Sequence, residues 1–510
     1  MGEAHPSSDV SLLVIPGFSV AARTALSGPS RLSASVGGLA LAIGVAHVIA
    51  LPAGLLPVVL AANAAWGLGR SRLLGPLGGA MVVVLAIPFG RGADVDVLLI
   101  AGVPVRPGDA AIIVGLLATL PLLRRPRLED RAVLAALAAF LAAGVLSLGV
   151  GLLSDHALRD VFRDARWWGL YAALGFALLA RVPSANLLRA LDLGAIAFAG
   201  VAILAVALPV FDGGLKEQAL VYDRGTLRMQ FGNTVFLLPA IARAVDALIA
   251  RPRPAVVVAL ATLVIALMLS LTRTTVLVTL GMCLLTIAFG VLASRVSVAS
   301  RVRATGLTFA TLAVAVVIGV TLSQLATVTA RSQVMGAQGG STQTPSLGSG
   351  ESPLDRITFQ SDASDVETTI AAANGRMTTY RNAFAVITRS PVLGAGMGSL
   401  VDVPFAYSDE RAHTALKQPG VDNAYLTVGL KAGVVGILTF GILLLVPLLM
   451  ALRMPGLRRW FIPAWGAILG LGMTQSFAVS GYAPFMLALL AAIVAVGYAS
   501  RSGSTAFSQR

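Results

Sequence analysis

Charge is scarce in this chain. Only 12% of its 510 residues are Asp, Glu, Lys or Arg, about half the share found in soluble domains. A freely soluble globule is excluded, because its surface could not be clothed with charge. Cysteine occurs once, at Cys283 in an apolar run, so no internal disulfide can form. Lysine is confined to Lys216, Lys417 and Lys431, which leaves arginine to carry the net charge of +14. No His, Cys and Glu cluster has metal-ligand spacing, and no phosphate-cradling loop or nucleophile elbow is present. No metal or other cofactor is expected. The first stretch is broken by Pro6, Pro16 and Pro29 and has no continuous apolar core with a cleavage site, so no cleavable signal peptide is read. No internal repeat shows.

Apolar sequence is abundant: 56% of residues are hydrophobic and the mean hydropathy is +0.84. Apolar spans fall near 36–50, 53–67, 76–90, 108–123, 132–153, 167–180, 189–210, 233–250, 255–272, 274–293, 305–325, 421–452, 460–477 and 482–499. Only Leu51 and Pro52 separate the first two. The expected fold is all-α: a polytopic helical membrane protein with about 12–14 transmembrane helices.

Letting the spans alternate from a cytoplasmic N-terminus puts one set of loops on one side. They carry Arg70/Arg72, Arg124/Arg125/Arg127, Arg181/Arg189, Arg251/Arg253, Arg295/Arg301/Arg303 and Arg453/Arg458/Arg459. That is the positive-inside pattern, so the basic charge reads as orientation in a membrane, not as nucleic-acid binding. The opposite loops mix signs and include the long stretch 326–420. The organisation expected is a cytoplasmic segment 1–35, a bundle 36–325, an extracytoplasmic loop 326–420, the last spans 421–499 and a cytoplasmic tail 500–510. Within the long loop, 331–352 is Gly/Ser/Thr/Gln-rich and reads as flexible, and 354–374 is acidic and polar. Residues 375–390 read as an amphipathic helix with Met377, Tyr380, Phe384 and Ile387 on its apolar face. Pro391 stops it before a glycine-rich turn.

The stretch VDNAYLTVGLKAGVVG (421–436) leaves that loop and enters an apolar helix. On a continuous helix Asp422, Gly429, Gly433 and Gly436 share a stripe, and glycines there would admit a neighbouring helix closely. Asp422 is the candidate general base; the alternative is a helix N-cap. Asn423, with Tyr425 behind it, would orient or cap. Lys431 falls on the opposite face, either lining a wet cavity or snorkelling. Arg273 in LSLTRTTVL stands between two spans joined by almost no loop; so costly a charge points to function, unless it snorkels to lipid phosphates. Arg228, Arg376, Arg163 and Arg166 lie in the same set of outer segments. Converging guanidinium groups suit a diphosphate, whereas Arg163 and Arg166 beside Trp167 and Trp168 also read as headgroup anchors. Asp94 and Asp96 form a lone pair of acids, and His156 and His413 sit in outer loops.

Four stretches in order resemble the O-antigen ligase and O-antigen polymerase superfamily of bacterial membrane glycosyltransferases. They are LRMQFGNTVFLLPAIA (227–242), LSLTRTTVL (269–277), GRMTTYRNAFAVITRSPVLGAGMGSL (375–400) and VDNAYLTVGLKAGVVG (421–436). The resemblance implies inverting, metal-independent transfer of an oligosaccharide from an undecaprenyl-diphosphate carrier to a glycan acceptor hydroxyl, on the outer face of the plasma membrane. It matches Arg228, Arg273 and Arg376 to the family's diphosphate-handling arginines. It places Asp422 where the family has a histidine, and Lys431 where the family often has an acid. Asp422 and Arg273 are therefore the expected catalytic residues, with Arg228, Arg376, Asn423 and Arg166 binding substrate. A transporter or flippase of lipid-linked oligosaccharide, and a metal-dependent transferase using Asp94 and Asp96, are the rival readings.

Overall fold

The computed structural model describes residues 55–87, 98–100, 103–207, 220–223, 226–229, 232–270, 272–293, 298–337, 363–403, 416–475 and 481–508. The expected segment 1–35, the span 36–50, Asp94, Asp96 and His413 lie outside them.

The described chain is helical throughout, joined by short antiparallel hairpins, as expected of a polytopic helical membrane protein. Five helices carry a stretch long and apolar enough to cross a bilayer, at Arg131–Leu153, Ser184–Leu204, Thr274–Leu292, Val302–Leu325 and Ala424–Leu452. In order the helices are α1 (Leu55–Gly69), α2 (Gly75–Ala86), α3 (Pro107–Thr119), α4 (Arg131–Leu153), α5 (Leu158–Leu170), α6 (Ala172–Leu179) and α7 (Ser184–Ala207). Then come α8 (Leu237–Ala250), α9 (Pro254–Met268), α10 (Arg273–Ala293), α11 (Val298–Ala337), α12 (Ala363–Arg389), α13 (Ala424–Leu452), α14 (Pro455–Gly472) and α15 (Ala483–Ser508). The hairpins are β1–β2 (Leu98–Ile100, Val103–Val105), β3–β4 (Leu220–Asp223, Thr226–Met229) and β5–β6 (Val401–Val403, Leu416–Gln418).

Helix α2 spans about 18 Å at 1.5 Å per residue, too short to cross a hydrocarbon layer of roughly 30 Å. Residues Leu77–Ala86 are all buried, packed against α1, α3 and α7. A helix that is apolar all round belongs inside the protein. The expected span 167–180 is instead two pieces that part at Tyr171. The first, α5, starts nine residues earlier than that span, and turns Val161, Asp164, Trp167 and Trp168 inward. Trp167 and Trp168 are buried and stack on one another at 4.7 Å, and Trp168 stacks on Phe140 of α4; they are core residues, not headgroup anchors. Helix α11 runs 40 residues, about 60 Å. It continues past the expected 305–325 into residues expected to be flexible, and the helix packs against β4.

Side-chain contacts fix which helix ends lie together. At one end, the Arg459 side chain at the start of α14 pairs with Asp246 near the end of α8 (3.2 Å). Arg243 of α8 binds both oxygens of Asp192 of α7 at 2.9 Å and lies over the Trp460 ring. Arg453, after α13, reaches the Tyr498 hydroxyl in the second half of α15. At the other end, Asn423 at the start of α13 donates to the Met473 carbonyl after α14 (3.0 Å). Because α8 ends at the Arg459 end, α9 returns toward the Asn423 end and α10 begins there.

Candidate active site

Helix α13 begins with its own cap. The Asn423 side chain accepts from the Leu426 amide at 2.9 Å, with extended backbone at Asn423. Asn423 thus takes the capping role that had been the alternative reading of Asp422. Its other side-chain group, the amide nitrogen, holds the end of α14 through Met473. Asp422 sits half-buried just outside the cap, and its carbonyl accepts from the Tyr380 hydroxyl of α12 at 2.9 Å.

Helix α12 starts well before the expected 375, and only Tyr380 and Ile387 of its expected apolar face turn inward. Tyr380, Ala383 and Ile387 turn inward onto Val401, Val421 and Leu430, a small core of their own, while Met377 and Phe384 are exposed. Arg376 is exposed one turn from Tyr380. Burial raises the Tyr380 hydroxyl above its ordinary value, the Asp422 carboxylate raises it further, and Arg376 opposes them. Arg376, Tyr380 and Asp422 are therefore electrostatic neighbours.

Arg273 opens α10 at the same end of the bundle as Asn423, and Arg228 lies in β4, opposite Val221, just before α8. Backbone topology thus puts both positions at the Asp422 end. Arg166 pairs with Asp109 of α3 at 2.5 Å and lies over the ring of Tyr482, just before α15. It ties α5 to the start of α3 and to the residue that precedes α15. Arg163 pairs with Asp160 at 2.6 Å.

Of the glycine stripe, Gly429 meets Ile387 of α12, but Gly433 receives no helix. At Gly433 the backbone turns to φ 60°, ψ −153°, and α13 is broken. What enters the break is the segment 391–399 that follows α12. The Val434 amide donates to the Pro391 carbonyl (2.8 Å), and the Ala395 and Gly396 amides donate to the Leu430 and Lys431 carbonyls (2.8 and 3.1 Å). This segment also fills the space between α4 and α5. The Met397 amide donates to Ser147, the Gly398 amide to the Asp164 carboxylate, and the His156 ring bonds the Ala395 carbonyl. Gly396 has φ 83°, and a Cβ there would fall 2.5 Å from the Gly151 nitrogen, so no other residue fits.

Lys431 neither snorkels nor lines a wet cavity. It is fully buried, paired with Asp164 at 2.7 Å, and donates to the Ser399 carbonyl. Two of the residues that matter most here, Tyr380 and Asp164, were not singled out as site residues in the sequence. Tyr380 had been read as part of an apolar face. Asp164 lay between two arginines that drew the attention, and its bond to Gly398 spans 234 residues.

A search of the curated proteins finds no match. Residues 258–441 match the family described as O-antigen ligase. That segment runs from α9 through α12 and into α13 beyond the break, and so contains Arg273, Arg376, Tyr380, Asp422 and Lys431; Arg228 and Asp164 precede it. That segment, about a third of the chain, is thus similar to the O-antigen ligase family.

Proposed function

We propose that this protein moves an oligosaccharide from an undecaprenyl-diphosphate carrier to a hydroxyl of a glycan acceptor, on the outer face of a bacterial plasma membrane, with inversion. The acceptor oxygen forms the new bond to the anomeric carbon as the bond from that carbon to the diphosphate oxygen breaks. The acceptor proton passes to the Asp422 carboxylate, and the lipid diphosphate leaves with the electron pair. Arg273, Arg228 and Arg376 would offset the charge that grows on the leaving group, the kind of electrostatic help that contributes most when its donors are fixed beforehand. The guanidinium groups supply the positive charge, so the reading needs no metal.

The observation that carries this reading is the bond from Tyr380 to Asp422. It joins the arginine-bearing helix to the mouth of α13, at the bundle end where Arg273 and Arg228 begin their elements. Polymerisation of a surface polysaccharide is favoured over ligation to a lipid core by the Ala-, Val-, Gly- and Arg-rich composition of a GC-rich genome.

The test is complementation of a deletion strain with wild type, Arg273→Ala and Asp422→Asn at equal membrane levels. Chain length and the lipid-linked pool are read on a gel. Both variants are expected to accumulate lipid-linked oligosaccharide and lose polymer. Wild-type behaviour of both would overturn the assignment. A broken helix and a buried ion pair are also what a transporter uses. Movement of lipid-linked glycan without any new glycosidic bond would favour that second reading.

A further inference from the structure

The Lys431–Asp164 pair belongs to neither substrate nor lipid. Lys431 is fully buried and the Asp164 side chain is 3% exposed. Burying two charges costs several kcal/mol per ion before attraction and hydrogen bonds offset it. A pair of apolar residues would fill the same space without that cost. The pair must therefore be judged by what its polar atoms hold. The Lys431 ammonium binds the Ser399 carbonyl as well as Asp164. The Asp164 oxygen that faces it also accepts from the Gly398 amide at 2.8 Å. The Ser147 hydroxyl closes the set on the Lys431 carbonyl at 2.7 Å. Every one of these bonds joins α4 or α5 to the segment 391–399 or to the first part of α13, or joins those two to each other.

Those two parts carry the candidate site. The break at Gly433 makes residues 424–432 a separate half-helix with Asp422 and Asn423 at its mouth. The inserted segment continues directly from α12, which carries Arg376 and Tyr380. Tyr380 closes the circuit by bonding Asp422. Helix α12, the segment and the half-helix thus form one body, and the buried pair fastens that body to α4 and α5.

We propose that Lys431 and Asp164 are positioning residues: they set where the Arg376–Asp422 body sits against the bundle that presents Arg273 and Arg228. The geometry is independent of the reaction, but its effect on turnover rests on the transferase reading above.

The test uses the full chain in nanodiscs with Cys283→Ala. Nitroxide labels are placed at two exposed positions, Arg381 on α12 and Leu153 at the end of α4. The variant pair is Lys431→Met with Asp164→Leu, which keeps volume and removes both charges together. Wild type is expected to give one narrow distance distribution. The double variant is expected to melt within a few degrees of wild type yet give a broadened or two-peaked distribution. In the transfer assay, turnover is expected to fall about tenfold with KM for the donor unchanged, as misplacement of reacting groups does. An unchanged distance distribution in a folded double variant overturns the proposal, and so does wild-type turnover. Should the double variant fail to fold, Asp164→Asn keeps the shape and can still accept from Gly398; a wild-type distribution there overturns the proposal equally. Broadened distances in a protein whose wild type transfers no glycan would leave the positioning role standing and remove the transferase reading.

Discussion

At the scale of single residues, the site is organised by hydrogen bonds to the backbone more than by charged pairs. Asn423 uses both ends of its amide, one to cap α13 and one to hold α14. Aspartate in its place could cap but could not donate, so the two roles separate by substitution. Tyr380 has the clearest pH signature. Its folded hydroxyl holds its proton more tightly than the ordinary tyrosine value of 10.0. Stability linked to that proton is fully present below about pH 10 and is lost as pH rises through the higher folded value. Melting followed from pH 8 to 11 is expected to fall more steeply at the alkaline end for wild type than for Tyr380→Phe. The variant itself is expected to lose about 1 kcal/mol at neutral pH, the usual cost of one such bond. Parallel curves would show that the Asp422 carbonyl does not depend on this hydroxyl.

At the scale of elements, the break in α13 and the segment that fills it act as one joint. The segment is specified by glycine spacing: Gly394, Gly396 and Gly398 all have positive φ, and each approaches a different neighbour, at Gly433, Gly151 and Val161. Gly396→Ala adds a left-handed alanine and a collision with backbone, together about 2–5 kcal/mol. Gly441 lies in the same helix α13, but a Cβ there meets nothing within 4 Å, so Gly441→Ala is expected to leave yield and melting unchanged. Size-exclusion profiles of detergent extracts check both. Apolar periodicity revealed the glycine-rich turn and the helix after it. It could not reveal that one enters the other, because a stripe calculation assumes a continuous helix and Gly433 breaks it. The same limit explains α12: spacing alone marked Met377 and Phe384 as apolar-face residues, but Ala383 and Ile387 meet the local core and the larger side chains stay outside. Hydropathy likewise located α2 and α6 but could not distinguish an interior helix from a crossing one, and it passed over the polar first part of α5.

At the scale of the whole molecule, the Arg459 end is stapled by ion pairs among α7, α8 and α14, while the Asp422 end gathers caps, hairpins and the candidate arginines. Arg453 and Arg459 both make their contacts at the first end. Which face of the membrane each end meets is testable. With the buried Cys283 as silent background, a cysteine at Arg381 is expected to react with a membrane-impermeant maleimide on intact spheroplasts. One at Arg458 is expected to react only after lysis. The reverse pattern would invert the proposed orientation and remove Asp422 from the outer face. The candidate arginines were legible as types and positions, but that Arg228 and Arg273 lie at the same bundle end was not, because it depends on how helices fold back.

The Asp164 carboxylate reaches its amide partner across 234 residues of chain, and Ser147 reaches Lys431 across 284. During synthesis, then, α5 leaves the ribosome with Arg163 beside that acid but long before its buried partner Lys431 exists. The first half of the bundle must wait, with a charge in its interior, until α13 arrives. A chain halted short of residue 431 would carry that acid without its buried partner as a lasting defect in its packing. In this way the pair distinguishes a finished protein from an unfinished one, and a membrane protease that removes unassembled helices would find its mark on α5.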